Sequence, residues 1–134
     1  MDLKALAENI FNAQAFSQYI GAKLLRVDSE VVTIGIELQP HHLQQHEFVH
    51  GGVISYLADN TITFAGGLAL QGNALTSEFK INYVKPAKGR KLICESIVES
   101  FGSKQAVCTA KIFSINGDEK KLCAIAQGTV IKSS

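Results

Sequence analysis

The chain has almost no net charge: across 134 residues, 13 Lys and Arg stand against 12 Asp and Glu. This balance removes the bulk positive field that draws a protein to nucleic acid or to an anionic membrane. Neither partner is expected, and any charged ligand must be met by local groups. Cysteine is scarce. Cys94, Cys108 and Cys123 lie far apart and contain no C-x-x-C pair, which argues against a zinc site or a redox dithiol. All three fall in apolar, strand-like segments and read as buried free thiols in a reducing compartment. The opening Met-Asp-Leu-Lys-Ala-Leu-Ala-Glu offers no basic segment followed by an apolar run. No secretory signal is therefore expected, and the protein is read as cytoplasmic. Uncharged residues run from Asn60 to Ser77, but Asn60, Thr61, Thr63, Gln71, Asn73, Thr76 and Ser77 interrupt them. A membrane-spanning helix needs about 20 predominantly apolar residues, so a buried helix followed by a loop fits better. There is no internal repeat, linker or low-complexity tract. No Gly-rich phosphate loop of the P-loop or Rossmann type is present, and nothing suggests a bound cofactor.

With 46% hydrophobic residues, the sequence can bury a real core and reads as one domain over residues 1–134. Leu3, Leu6, Ile10 and Phe11 follow helical spacing and predict a short amphipathic helix over 3–18, ending before Gly21. Lys23 to Val27 and Val31 to Leu38 are apolar and β-branched and flank Asp28-Ser29-Glu30, a hairpin turn. Residues 53–70 are apolar on nearly every face, as in a helix buried all round. Gly51 and Gly52 stand at its N-terminus, and Gly66-Gly67 are expected to loosen its last turn. Four alternating segments follow, near 75–85, 90–100, 104–115 and 120–132, with connections short enough for antiparallel neighbours. Six strands with one long buried helix after the second give an α+β fold; this order alone is compatible with more than one α+β sandwich.

The chemistry concentrates between Gln44 and Thr63. A helix N-terminus leaves backbone N–H groups without partners and carries partial positive charge. Glycine there lets a carbonyl oxygen approach those donors, the geometry of an oxyanion hole. Asp59 is an ionisable group on an otherwise apolar helix, costly to bury unless paired or used. Thr63 lies one turn later on the same face and Ser55 one turn earlier. The eight residue steps from Gly51 to Asp59 span about 12 Å at about 1.5 Å per residue, so one reacting carbon cannot touch both. If the two serve one reaction, Asp59 of one subunit must face Gly51 of another. Plainer readings stand beside these. Asp59 could be hydrogen-bonded structure, Gly51-Gly52 a packing or turn feature, and His50 a capping residue. His42, His46 and His50 share i, i+4, i+8 spacing, which on a helix would suit zinc, but Pro40 and the glycines mark the run as loop and no metal site is expected.

These residues resemble the hotdog-fold thioesterases of the phenylacetate-degradation (PaaI-like) type, related to the 4-hydroxybenzoyl-CoA thioesterases. The resemblance spans roughly residues 20–131. Its most specific part is His50-Gly51-Gly52 with a carboxylate nine residues after the histidine, Asp59. Ile81-Asn82-Tyr83-Val84-Lys85-Pro86-Ala87-Lys88-Gly89, similar to the family's strand and turn beside coenzyme A, and the closing Ala126-Gln127-Gly128-Thr129 support it. The resemblance implies an antiparallel six-stranded sheet wrapped around the long helix, with a short N-terminal helix added. It also implies hydrolysis of an aliphatic or aromatic acyl-CoA, the coenzyme being part of the substrate. Asp59 would be nucleophile or general base, Gly51 N–H would polarise the thioester carbonyl, His50 would hold the loop and Gln44 would orient the carbonyl or water. Thr63 or Thr76 would position that water. Gly52, Lys85, Pro86, Lys88 and Arg90 would lie on coenzyme A, the cations meeting phosphates locally. A homodimer, with dimers pairing into a homotetramer, is expected. Glu47 departs from the glycine many members carry three before the histidine. Two alternatives remain: a hotdog acyl-thioester dehydratase or hydratase using His50 with Asp59, and a non-catalytic acyl-CoA-binding module.

Overall fold

The computed structural model describes residues 2–134. Asp2 caps α1 (Leu3–Ala13), its carboxylate accepting from the Ala5 N–H at 2.7 Å and so satisfying a donor the helix leaves free. The helix expected over 3–18 is in fact two. Gln14 steps out to an extended conformation, and α2 (Ala15–Ile20) starts afresh and ends at Gly21 with φ 82°. The break coincides with tertiary bonding that periodicity does not register: the Gln14 side-chain oxygen accepts from Ser17 Oγ and from Asn60 Nδ2 on the long helix.

Strands β1 (Ala22–Val27) and β2 (Val32–Glu37) form the expected hairpin. Asp28 organises the turn. Its carboxylate accepts from the backbone N–H groups of Glu30 and Val31 and from Arg26 Nε. These bonds, the two backbone donors foremost, lower its pKa to about 2.

After a 3₁₀ turn (Pro40–His42) comes α3 (Gly51–Leu70), then β3 (Ala74–Tyr83), β4 (Lys91–Phe101), β5 (Gln105–Asn116) and β6 (Glu119–Lys132). The six strands form one sheet in the order β1-β2-β4-β5-β6-β3, every neighbour pair antiparallel. Helix α3 lies against β2 through β6, which is the hotdog arrangement. Val53, Ile54, Leu57, Ala58, Ile62 and Ala65 of α3 pack on Ile34, Ile36, Leu92, Ile112 and Val130 in one core. Thr61, fully buried, satisfies its hydroxyl by donating to the Leu57 carbonyl at 2.6 Å. Gly66 does not loosen the helix. A Cβ there would stand 2.8 Å from the Val130 side chain, so glycine permits close approach of helix to sheet. The helix continues through Leu70 and closes on Gln71 at φ 55°.

Cys94, Cys108 and Cys123 are free and buried. Burial pushes the Cys94 thiol up to about 12 and those of Cys108 and Cys123 to about 11, which leaves them unreactive at neutral pH. Among the described residues no helix is long and apolar enough to cross a membrane.

Candidate active site

The loop leading into α3 is built on a buried histidine. Gln39 N–H donates to His42 Nδ1 at 3.0 Å, so the Nε2 proton of His42 donates to the Ile20 carbonyl at 2.8 Å. The His42 carbonyl in turn accepts from His50 N–H at 2.9 Å. His42, His46 and His50 therefore do not share a helix face: the first is buried structure, the second is in an exposed turn, and the third caps α3.

Between His42 and His50 the chain reverses tightly. Leu43 bridges Val49, Gln44 N–H bonds the Phe48 carbonyl at 2.8 Å, and Val49 N–H reaches across to the Ala87 carbonyl at 3.0 Å. The Gln44 side-chain oxygen accepts from His46 N–H, which leaves the amide Nε2 as its available donor. Glu47 sits at φ 66°, in the left-handed region that glycine adopts freely and most side chains avoid. The departure at this position thus keeps a glycine-like backbone at the expense of strain.

His50 Nδ1 accepts from Gly52 N–H at 2.8 Å, a side-chain N-cap on α3. The His50 carbonyl accepts from the Val53 and Ile54 N–H groups. Gly51 N–H is left with no acceptor among the described residues, as the first donor of a helix is. Gly51 lines a cleft of about 530 Å³ together with Gln44, Phe48, Gly52, Tyr83, Lys85 and Pro86. Gly51, Gly52, Gln44, Lys85 and Pro86 are thus brought together. Lys88 is not among them; it lines a neighbouring cleft of about 330 Å³ with Glu47 and Pro40. Arg90 lines neither, and its backbone ties Leu38 to Ile115.

Asp59 is part of a second cluster. Its half-buried carboxylate has no hydrogen bond or ion pair among the described residues. Thr63 Oγ1 donates to the Asp59 backbone carbonyl at 2.8 Å, and Thr76 Oγ1 on β3 meets the Thr63 hydroxyl. At the other end of the same face, Ser55 Oγ meets Tyr83 Oη at 2.5 Å. Helix α3 and strand β3 are thus clasped at both ends of the Ser55–Asp59–Thr63 face, with Asp59 between the clasps. Strand β3 is one of the two sheet edges, β1 being the other, and its Leu75 and Tyr83 are 60% and 52% exposed.

Two features escaped the sequence reading. One is the bonding of Tyr83, a residue of the 81–89 segment, to Ser55 and Gly51, since only the pairing of β3 with β6 brings it to the start of α3. The other is a half-buried network in which Asn60 Nδ2 donates to Gln14 Oε1, Ser17 Oγ and Tyr56 Oη at 3.0, 3.3 and 3.1 Å. Burial raises the Tyr56 phenol pKa, against the lowering effect of its bonds to Ser17 and Asn60. Asn60 follows Asp59 directly, but two of its three partners, Ser17 and Gln14, lie 43 and 46 residues away in the chain.

A match to the thioesterase superfamily spans residues 46–121, more than half of the chain and inclusive of Gly51, Asp59 and Thr76. The chain belongs to the thioesterase superfamily. A protein of Archaeoglobus fulgidus named "Putative esterase" is 30% identical over 117 residues, covering 86% of this chain and 73% of the relative. Among solved structures, a thioesterase family protein from Silicibacter pomeroyi is similar with a TM-score of 0.91 at 24% identity, covering 97% of both chains. The E. coli PaaI protein of the phenylacetic acid degradation operon is similar with a TM-score of 0.86 at 20% identity, covering 98% of this chain and 94% of that one. These structural likenesses place this superfamily member in the hotdog fold.

Proposed function

We propose that the protein hydrolyses acyl-CoA thioesters, aliphatic or aromatic, at sites shared between two subunits. The observation that carries this reading is the separation of two half-sites on α3. Gly51, its N–H unpartnered, lines a cleft with no carboxylate in its wall, whereas the unpartnered Asp59 carboxylate stands about 12 Å along the helix, beside an open sheet edge. An exposed ten-residue edge strand is a surface for pairing with a second copy. A twofold pairing there supports placing Asp59 of the partner subunit opposite Gly51.

In this site the thioester carbonyl oxygen accepts from Gly51 N–H and from Gln44 Nε2. Asp59 of the partner subunit either attacks the carbonyl carbon, expelling the CoA thiolate and leaving a mixed anhydride that water then hydrolyses to the free acid, or deprotonates a water whose attack breaks the carbon–sulfur bond directly. In both routes one water is consumed, and the thiolate leaves as the CoA thiol with a proton from that water. Thr63 or Thr76 orients the water. His50 keeps the Gly51-Gly52 turn in place, and Lys85 at the cleft, with Lys88 and Arg90 outside it, meets phosphate groups of the coenzyme. The reaction draws on no cofactor. A dimer of dimers in the cytoplasm, where the three buried thiols stay reduced, completes the proposal.

The test is release of free thiol from a panel of aliphatic and aromatic acyl-CoAs. Asp59→Asn should lower kcat by about 10²–10⁴ with folding and substrate binding retained, the usual cost of losing a positioned base. Turnover of that variant at the wild-type rate would refute the assignment. The same panel run with a crotonyl thioester, following hydration as well as thiol release, excludes or establishes a hydratase.

A further inference from the structure

Resting on the hydrolase reading of the α3 N-terminus, we propose that Tyr83 is a positioning residue: its phenol holds the Gly51–Gly52 peptide unit, so that Gly51 N–H stays aimed into the cleft as the carbonyl-binding donor. Two consecutive glycines are a soft way to begin a helix, because neither side chain restricts the backbone. Here that softness is countered from outside the helix. Tyr83 Oη donates to the Gly51 carbonyl at 3.2 Å, while Gly52 N–H, at the other end of the same peptide unit, donates to His50 Nδ1 at 2.8 Å. The preceding peptide is held through the His50 carbonyl, which accepts from Val53 and Ile54. With both units held, the donor left over in the first turn is Gly51 N–H.

The phenol proton is itself directed. Since Tyr83 Oη donates to the Gly51 carbonyl, the 2.5 Å contact with Ser55 must run from the Ser55 hydroxyl to the phenol oxygen. The chain of donors is therefore Ser55 to Tyr83 to Gly51, and Ser55 lies one turn before Asp59 on α3. The ring also covers Gly51: a Cβ at that position would stand 3.4 Å from the phenol oxygen, in ordinary contact. Tyr83 thus carries information from the end of β3 to the first turn of α3, elements whose residues here are 32 apart in sequence.

Tyr83→Phe keeps the ring and removes the clamp. Loss of one neutral hydrogen bond predicts a fall in kcat of about 3- to 10-fold. KM should change less than about twofold, and an S-alkyl-CoA thioether, which has no carbonyl oxygen, should bind both proteins equally. Ser55→Ala should cost less, and the double variant should be no worse than Tyr83→Phe alone, because the serine acts through the tyrosine. Independently of turnover, amide hydrogen exchange at Gly52 should speed up in Tyr83→Phe. Unchanged Gly52 exchange refutes the clamp. Faster exchange with wild-type kcat refutes its part in catalysis. If the wild-type protein releases no thiol from any acyl-CoA, the hydrolase reading falls and with it the catalytic purpose, while the Gly52 exchange rate still decides the clamp.

Discussion

The claim that one active site draws on two subunits can be tested by removing each half separately and recombining them. Asp59→Asn removes the carboxylate. For the other half, Gly51→Pro removes the one unpartnered N–H and little else. Gly51 is the first residue of α3, a position at which proline is favoured because that N–H has no helical partner and φ is already near the helical value. The preceding residue must tolerate a following proline, and His50 does, at φ −61° and ψ 134°. A Cβ at Gly51 meets nothing nearer than 3.4 Å. The variant should therefore fold, and losing one oxyanion donor should cost it about 10²–10³ in kcat. Each homodimer is then crippled at both sites. In a heterodimer of Asp59→Asn with Gly51→Pro, purified through two different tags from co-expressed chains, one site carries both lesions and the other carries neither. Thiol release should return to about half of the wild-type value per dimer, as twofold symmetry requires. Heterodimers no more active than the parent variants would show that Gly51 and Asp59 of the same chain belong together, and the shared-site mechanism would be abandoned.

Stability offers further checks. Glu47→Gly relieves a left-handed residue, worth about 1–2 kcal/mol, and loosens the unfolded chain by about 0.4–1 kcal/mol, so a small net rise in the urea midpoint is expected. A fall would mean that the Glu47 side chain makes a contribution beyond its backbone. Leu57→Ala truncates a fully buried core side chain of α3 and should lower unfolding free energy by about 2–5 kcal/mol in denaturant titration. Asp28 has a folded pKa of about 2 against an ordinary value of 3.8. Its stabilising effect is complete above the ordinary value and disappears as pH falls through the folded one. Asp28→Asn should therefore flatten the acid-side loss of thermal stability in that window, and an unchanged acid profile would contradict the role given to the turn.

The elements whose formation depends on neighbours in sequence were legible from the residues. The long apolar helix over residues 53–70, the hairpin at Asp28 and the alternating C-terminal strands are consequences of side-chain periodicity and turn chemistry, which act over a few residues. The helix is not buried all round, however: its Ser55–Asp59–Thr63 face is half-buried. The single helix expected over 3–18 failed at Gln14, where a side chain bonded to Asn60 accompanies the departure from helical backbone. Gly66 was misread for a similar reason: its role is set by Val130 on β6, with three strands between the two in the chain.

For the site, the spacing of His50, Gly51 and Asp59 along one helix followed directly from the sequence, and so did the distance that separates its two ends. Which groups surround each end did not. Tyr83 and Ser55 meet, Thr76 meets Thr63, and Lys85 enters the Gly51 cleft while Lys88 turns to its neighbour, because β3 leaves α3 and returns as the outermost strand beside β6. Strand order and register are global outcomes of burying the core, and a helix pattern contains no record of which strand will lie along it. The composition of the helix was therefore decided locally, and its company by the packing of the whole chain.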